Sequence, residues 1–347
     1  LVIANCCYHV GHERSTKVAD DRGFLKEEGL TNYVIERGGL LPADFEHLAL
    51  GRVMWERGID IATAVDVRAA VIQNSVGEDV YIVGGWRTGT QSNGKLITAK
   101  HITRPDQLRG AKTPMREKGN LSYHSLAGAL RKMGIDPESD IEWIERRHTA
   151  YANEDEGELL RTGQVSLLSV DGPDADRLIQ EGYPVLYDMD DYYKGLGHWP
   201  PGKVIVATKQ TIEKRTEELT AFLRGNLHAY WFIQDPANHA YMYELETRMR
   251  AATSNETERK VRMLRTEAPR TPRKGTLMAG HMVMDGLVPR VALQTIIDDL
   301  VQYGGLDEPI DIDRVMEDGP SVAAYESLLG RGVIKRDFLN QWLSVMA

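Results

Sequence analysis

Thirty residues at the start of the chain already restrict its fold. Leu1–Asn5 (LVIAN) is short, apolar and partly β-branched, the composition of a buried strand. Residues 6–13 (CCYHVGHE) show no helical period, and Ser15 is then placed to cap a helix through Val18, Ala19, Phe24 and Leu25 that Gly29 stops. Strand, polar-aromatic loop and helix make the half-unit of an open α/β sheet, in which ligands bind beyond the carboxyl ends of the strands. Asn5, Cys6, Cys7, Tyr8, His9 and His12 are therefore expected at the mouth of a site.

The unit recurs. Strands are expected at Asn32–Gly39, Gly58–Asp66 and Val80–Trp86, with helices over Asp44–Trp55 and from Val67 to near Gly77. Gly94–Lys100 reads as a strand leading out of this half. A second series starts at Pro105: a helical turn, a strand over Ala111–Met115, a helix over Leu121–Met133, and a strand over Asp140–Ile144. A helix over Glu156–Arg161 follows, then strand, Asp171-Gly172-Pro173 turn and helix, and a strand from Pro184. From Lys203 one more strand carries the chain back, and the remainder is mostly helical: Glu213–Ile233, Ala237–Arg250, Glu256–Leu264, Arg290–Tyr303 and Ser321–Leu329. The expected architecture is α/β, with two doubly wound lobes and a helical C-terminal extension. Residues 1–102 with 203–347 form the first lobe, and 103–202 the second.

At 347 residues the chain exceeds one ordinary core. A net charge of −9 argues against a nucleic-acid partner, because nothing would neutralise a phosphate backbone. One local arginine or helix terminus still suffices for a small anion, since distant charges are screened. The two cysteines are neighbours. Their Cα atoms, about 3.8 Å apart, are too close for an ordinary disulfide. They also lack the Cys-x₂₋₄-Cys spacing of a zinc site, so no metal is expected. The opening strand without an initiator methionine fits an exported protein whose leader has been removed.

Several further positions could meet a ligand. Gly39, Thr63 and Asp66 lie at the ends of first-lobe strands; Asp66 could also pair with Arg68. Trp86-Arg87 would suit a flat anionic aromatic through stacking and a forked contact, or the tryptophan could cover a hinge. Lys118, Gly119, Asn120 and Leu121 lead into a helix and could cradle an anion with backbone N–H groups, helped by the hydroxyls of Ser122 and Tyr123. Asp171 turns out of a second-lobe strand. The other histidines show no metal spacing.

The stretches DRGFLKEEGL, GIDIATA, ITRPDQLRGAKTPM, ALRKMGIDPESDIEWI and LVQYGGLDEPIDID, in that order, resemble the NMT1/THI5-like periplasmic substrate-binding proteins of ABC transporters for alkylsulfonates, taurine and pyrimidine precursors. The resemblance spans most of residues 1–315. It implies a type II periplasmic binding fold: two lobes hinged by crossing strands, with the ligand clasped between them. A more distant likeness is to the biphenyl sulfinate desulfinase, whose catalytic cysteine follows an asparagine as in Asn5-Cys6; its Arg-x-Gly-Gly motif is not matched at Arg57-Gly58-Ile59-Asp60. The expected function is a monomeric, cofactor-free receptor for a small anionic, aromatic or heterocyclic organic acid, delivering it to an ABC permease from the periplasm. The alternative is a cytoplasmic desulfinase- or decarboxylase-like enzyme with Cys6 as catalytic thiol and His9 beside it.

Overall fold

The computed structural model describes residues 1–6, 10–36, 50–88, 95–114, 121–144, 156–170, 172–188, 201–251, 282–302 and 305–340. Five strands form the first sheet: β1 (Val2–Asn5), β2 (Val34–Ile35), β3 (Ile61–Asp66), β4 (Tyr81–Thr88) and β10 (Pro201–Ala207), in the order β2-β1-β3-β10-β4. β1 runs parallel to β2 and β3. β10 arrives from the other half of the chain and inserts antiparallel between β3 and β4, as the expected return strand. Every residue of β3 is buried, the polar Thr63 and Asp66 included.

Helices pack on this sheet: α1 (Val10–Asp21), α2 (Phe24–Glu27), α3 (Leu50–Arg57) and α4 (Val67–Ser75) from the first half. Those after β10 are α8 (Lys209–Lys214), α9 (Thr216–Gln234), α10 (His239–Ala251), α11 (Arg290–Gln302), α12 (Ile312–Val315) and α13 (Gly319–Gly330). One hydrophobic core collects buried residues from Leu1 to Trp86 and from Val204 to Leu339.

The middle of the chain builds two small sheets of its own. β5 (Lys95–Thr98) lies antiparallel between β8 (Leu167–Val170) and β9 (Val185–Asp188), and β6 (Ala111–Pro114) is parallel to β7 (Ile141–Ile144). The Ser166 N–H donates to the Lys112 carbonyl (2.9 Å) and joins the two sets. Helices α5 (Leu121–Lys132), α6 (Glu156–Arg161) and α7 (Gly172–Gln180) cover them over two further core clusters, drawn from residues 96–178.

Four expectations change. β5 belongs to the second sheet, since its backbone groups pair with β8 and β9, so the chain has left the first sheet before Lys95 rather than after residue 102. α1 starts at Val10, five residues before the expected cap: Ser15 faces the interior instead of the helix end. The helix expected over Glu213–Ile233 is two, broken at Arg215. Gly172 and Pro173 open α7 rather than a turn, proline being well accommodated in a first helical turn. The helix expected over Glu256–Leu264 lies outside the described residues.

Candidate functional site

The carboxyl ends of β1 and β3 meet side by side, with Asn5 in register with Thr63. Asn5 is buried, and its Oδ1 accepts the Thr63 hydroxyl at 2.5 Å. Cys6, also fully buried, donates its N–H to the Thr63 carbonyl (2.9 Å) and its thiol to the Ala64 carbonyl (2.8 Å). Ala64 has φ of 60°, the left-handed region, and among the described residues no other non-glycine does. Its cause is a bulge. The register between β3 and β10 shifts between Val204 and Val206, setting Thr63 and Ala64 together against Ile205. Such a bulge re-aims backbone groups at a strand end, and here it turns a carbonyl onto the only described cysteine.

One turn on, Asp66 caps α4: its carboxylate accepts the Arg68 backbone N–H at 3.0 Å. The Lys203 Nζ stands 3.7 Å from its other oxygen. The expected Asp66–Arg68 side-chain pair does not form, because the capping geometry folds the carboxylate back on the helix end while the guanidinium turns towards Asp299 of α11.

Trp86 is only 2% exposed. Its indole N–H donates to the Ser15 hydroxyl at 3.0 Å. Beside it, Asn226 donates to the Tyr230 hydroxyl (2.8 Å), which donates to the Gly85 carbonyl (3.4 Å). Burial holds the Tyr230 phenol far above its ordinary pKa, so it stays a donor. The segment at 282–288 closes over this strand: Gly85 N–H donates to Gly286 O at 2.8 Å, and a Cβ on Gly85 would stand 2.6 Å from the Leu287 carbonyl. That close approach is why β4 carries glycine here. Asp285 in the same segment has its carboxyl pushed up to about 6, chiefly by burial, against the lowering effect of the Leu287 N–H at 3.0 Å.

The sequence singled out Trp86 but missed the buried polar groups of α9. Asn226, Tyr230 and Gln234 recur every four residues on α9 and are all buried, a polar stripe that periodicity could have shown. Tyr123, expected to offer a hydroxyl, is buried against Trp143 (ring centroids 5.1 Å apart) and donates to Glu138 at 2.5 Å. For Arg87 and Leu121 the backbone alone is described: the first lies in β4, the second opens α5. Cys7, Tyr8, His9, Gly39, Lys118, Gly119, Asn120 and Asp171 lie outside the described residues. Among the described residues no three potential metal ligands cluster, and no helix is long and apolar enough to cross a membrane.

No family model matches the sequence, and no curated protein matches it significantly. Solved structures do match. The ligand-binding component of an ABC-type import system from Staphylococcus aureus superposes with a TM-score of 0.61 at 14% identity, over 93% of this chain and 97% of that one. The alkanesulfonate-binding protein SsuA from Xanthomonas axonopodis pv. citri, bound to MOPS, gives 0.60 at 15% identity, over 92% and 98%. The desulfurization enzyme DSZB gives 0.57 at 12% identity, over 94% and 99%. The chain has the periplasmic binding protein fold.

Within this binding-protein fold the Asn5–Cys6 strand end and the first turn of α4 share the carboxyl edge of the first sheet, where an open α/β sheet binds ligands. A cavity of about 460 Å³ lies at the opposite edge, lined by Asn74, Glu78, Asp79, Tyr81, Lys209 and Glu317 among others. It is therefore separate from the candidate site.

Proposed function

We propose that the protein is the solute receptor of an ABC-type importer, working in the periplasm or outside the cell, and that it clasps a small anionic, aromatic or heterocyclic organic acid between two lobes. The observation that carries this reading is the extent of the structural match: import-system binding proteins cover more than nine-tenths of the chain, both halves included. The strand pairing and the cores support one lobe built on β1–β4 with β10 and another built on β5–β9. Hinge closure of one lobe on the other would bury the ligand and present the closed form to a permease. The acid group would meet Arg87 or the backbone N–H groups around Gly119–Leu121. Native mass spectrometry of freshly purified protein tests it: a small organic acid should travel with the chain. Bare protein, with no thermal shift across organic acids, overturns the reading.

A desulfinase- or decarboxylase-like enzyme with Cys6 as its thiol is the second reading. It is supported by the likeness to DSZB and by the strained Ala64 beside the cysteine. The geometry favours it less: Cys6 is buried and its proton is spent on a backbone carbonyl. Turnover of an aromatic sulfinate that is lost on alkylating Cys6 would reverse the order.

A further inference from the structure

Arg68 stands in the first turn of α4, directly beyond the carboxyl end of β3, with 2% of its surface exposed. Its backbone N–H is taken by Asp66, but its side chain is not. Nη2 lies 3.7 Å from Asp299 Oδ2, too far for a hydrogen bond. Nε and Nη1 are buried and have no hydrogen-bond partner among the described residues. Guanidinium cannot shed its charge, and burying it with its donors idle is costly. Buried polar groups are as a rule hydrogen-bonded, so these idle donors call for a partner.

We propose that Arg68 is the residue that recognises the acid group, a carboxylate or sulfonate, of the solute. This inference rests on the receptor reading and deepens it. Either edge of the guanidinium, Nε with Nη2 or Nη1 with Nη2, offers two parallel N–H groups to such an anion. Asp299 is its counter-ion in the structure. The neighbouring Asp66 does not oppose the anion with a full charge, because Lys203 stands 3.7 Å from it. Arg68 itself lies in the first turn of the nine-residue α4, near the helix's positive pole.

Isothermal titration calorimetry with benzenesulfonate and its neutral counterpart benzenesulfonamide tests the assignment. The wild type should bind the anion about tenfold tighter or more, the margin of a charge-assisted contact. Arg68→Gln should lose that margin and keep the sulfonamide affinity. Since a buried arginine can matter for folding, Asp299→Asn provides the second arm: freeing Arg68 from its counter-ion should tighten benzenesulfonate several-fold and leave the sulfonamide unchanged. A purely structural Arg68–Asp299 pair would move neither. Anion preference surviving in R68Q, or benzenesulfonate binding unchanged or weakened in D299N, overturns the assignment and leaves the receptor reading standing. A wild type that binds neither probe also overturns it, while the native mass spectrum decides the receptor reading independently.

Discussion

Asp285 is held where an ionised carboxylate is poorly solvated, and burial raises its pKa from 3.8 to about 6. The folded chain therefore binds this proton more tightly than the unfolded chain. Stability from this group is fully present below about pH 4 and is lost as pH rises to about 6, with no further change above. At about 1.4 kcal/mol per pKa unit the ceiling is near 3 kcal/mol, and the partial exposure of Asp285 trims it to about 1–2 kcal/mol. Asp285→Asn, which keeps an oxygen for the Leu287 N–H, should be more stable than the wild type by that amount at pH 7.5 and equal to it near pH 4, read from urea midpoints. A difference that does not change with pH would refute it. Single residues were the least legible part of the sequence. Ser15 has the composition of a cap but sits inside a helix bonded to Trp86, a contact spanning 71 positions that no local pattern encodes. Asp66 was legible as a strand-end carboxylate. Its role as a cap, and the turn of Arg68 towards a helix more than 200 residues later, were not.

Elements were more legible, because hydrophobic period and glycine placement are local. β3, α4, α5 and α6 stand where their patterns put them, and Gly29, Gly77 and Gly134 take the positive φ that ends their helices. What pattern could not convey is how closely elements approach. Gly225 of α9 faces the backbone of α2: an added Cβ would stand 2.7 Å from Leu25 Cδ2, 3.1 Å from its Cα and 3.2 Å from its N. α2 cannot retreat, because Arg224 next door holds Glu28 through its carboxylate and its carbonyl, both at 3.0 Å, and Arg331 holds the other carboxylate oxygen at 2.5 Å. Helix propensity favours Gly225→Ala by about 1 kcal/mol, whereas overpacking against fixed backbone costs about 1–3 kcal/mol, so the clash prevails. Gly225→Ala should lower the thermal midpoint. The same change at Gly330, where nothing lies within 4 Å, should not. An unchanged or raised midpoint for Gly225→Ala would show that α2 yields.

At the scale of the molecule, the alternation of strands and helices conveyed two α/β bodies, but a boundary is a matter of pairing partners, and Lys95–Thr98 has the same composition whichever sheet it joins. The cores divide cleanly: buried residues of 1–86 and 204–339 make one cluster, and those of 96–178 make two others. If these bodies are separate lobes, a defect in one should loosen that one alone. Leu130 of α5 is fully buried among Leu96, Leu108 and Leu126, and truncating such a residue leaves a cavity worth about 2–5 kcal/mol. Local opening is governed by the packing of the cooperative unit a residue belongs to. Leu130→Ala should therefore speed hydrogen exchange in peptides covering β5 to β9 while those covering β1, β3 and β10 keep their protection. Exchange that rises equally in both sheets would mean one cooperative body, and a hinge between lobes would lose its physical basis.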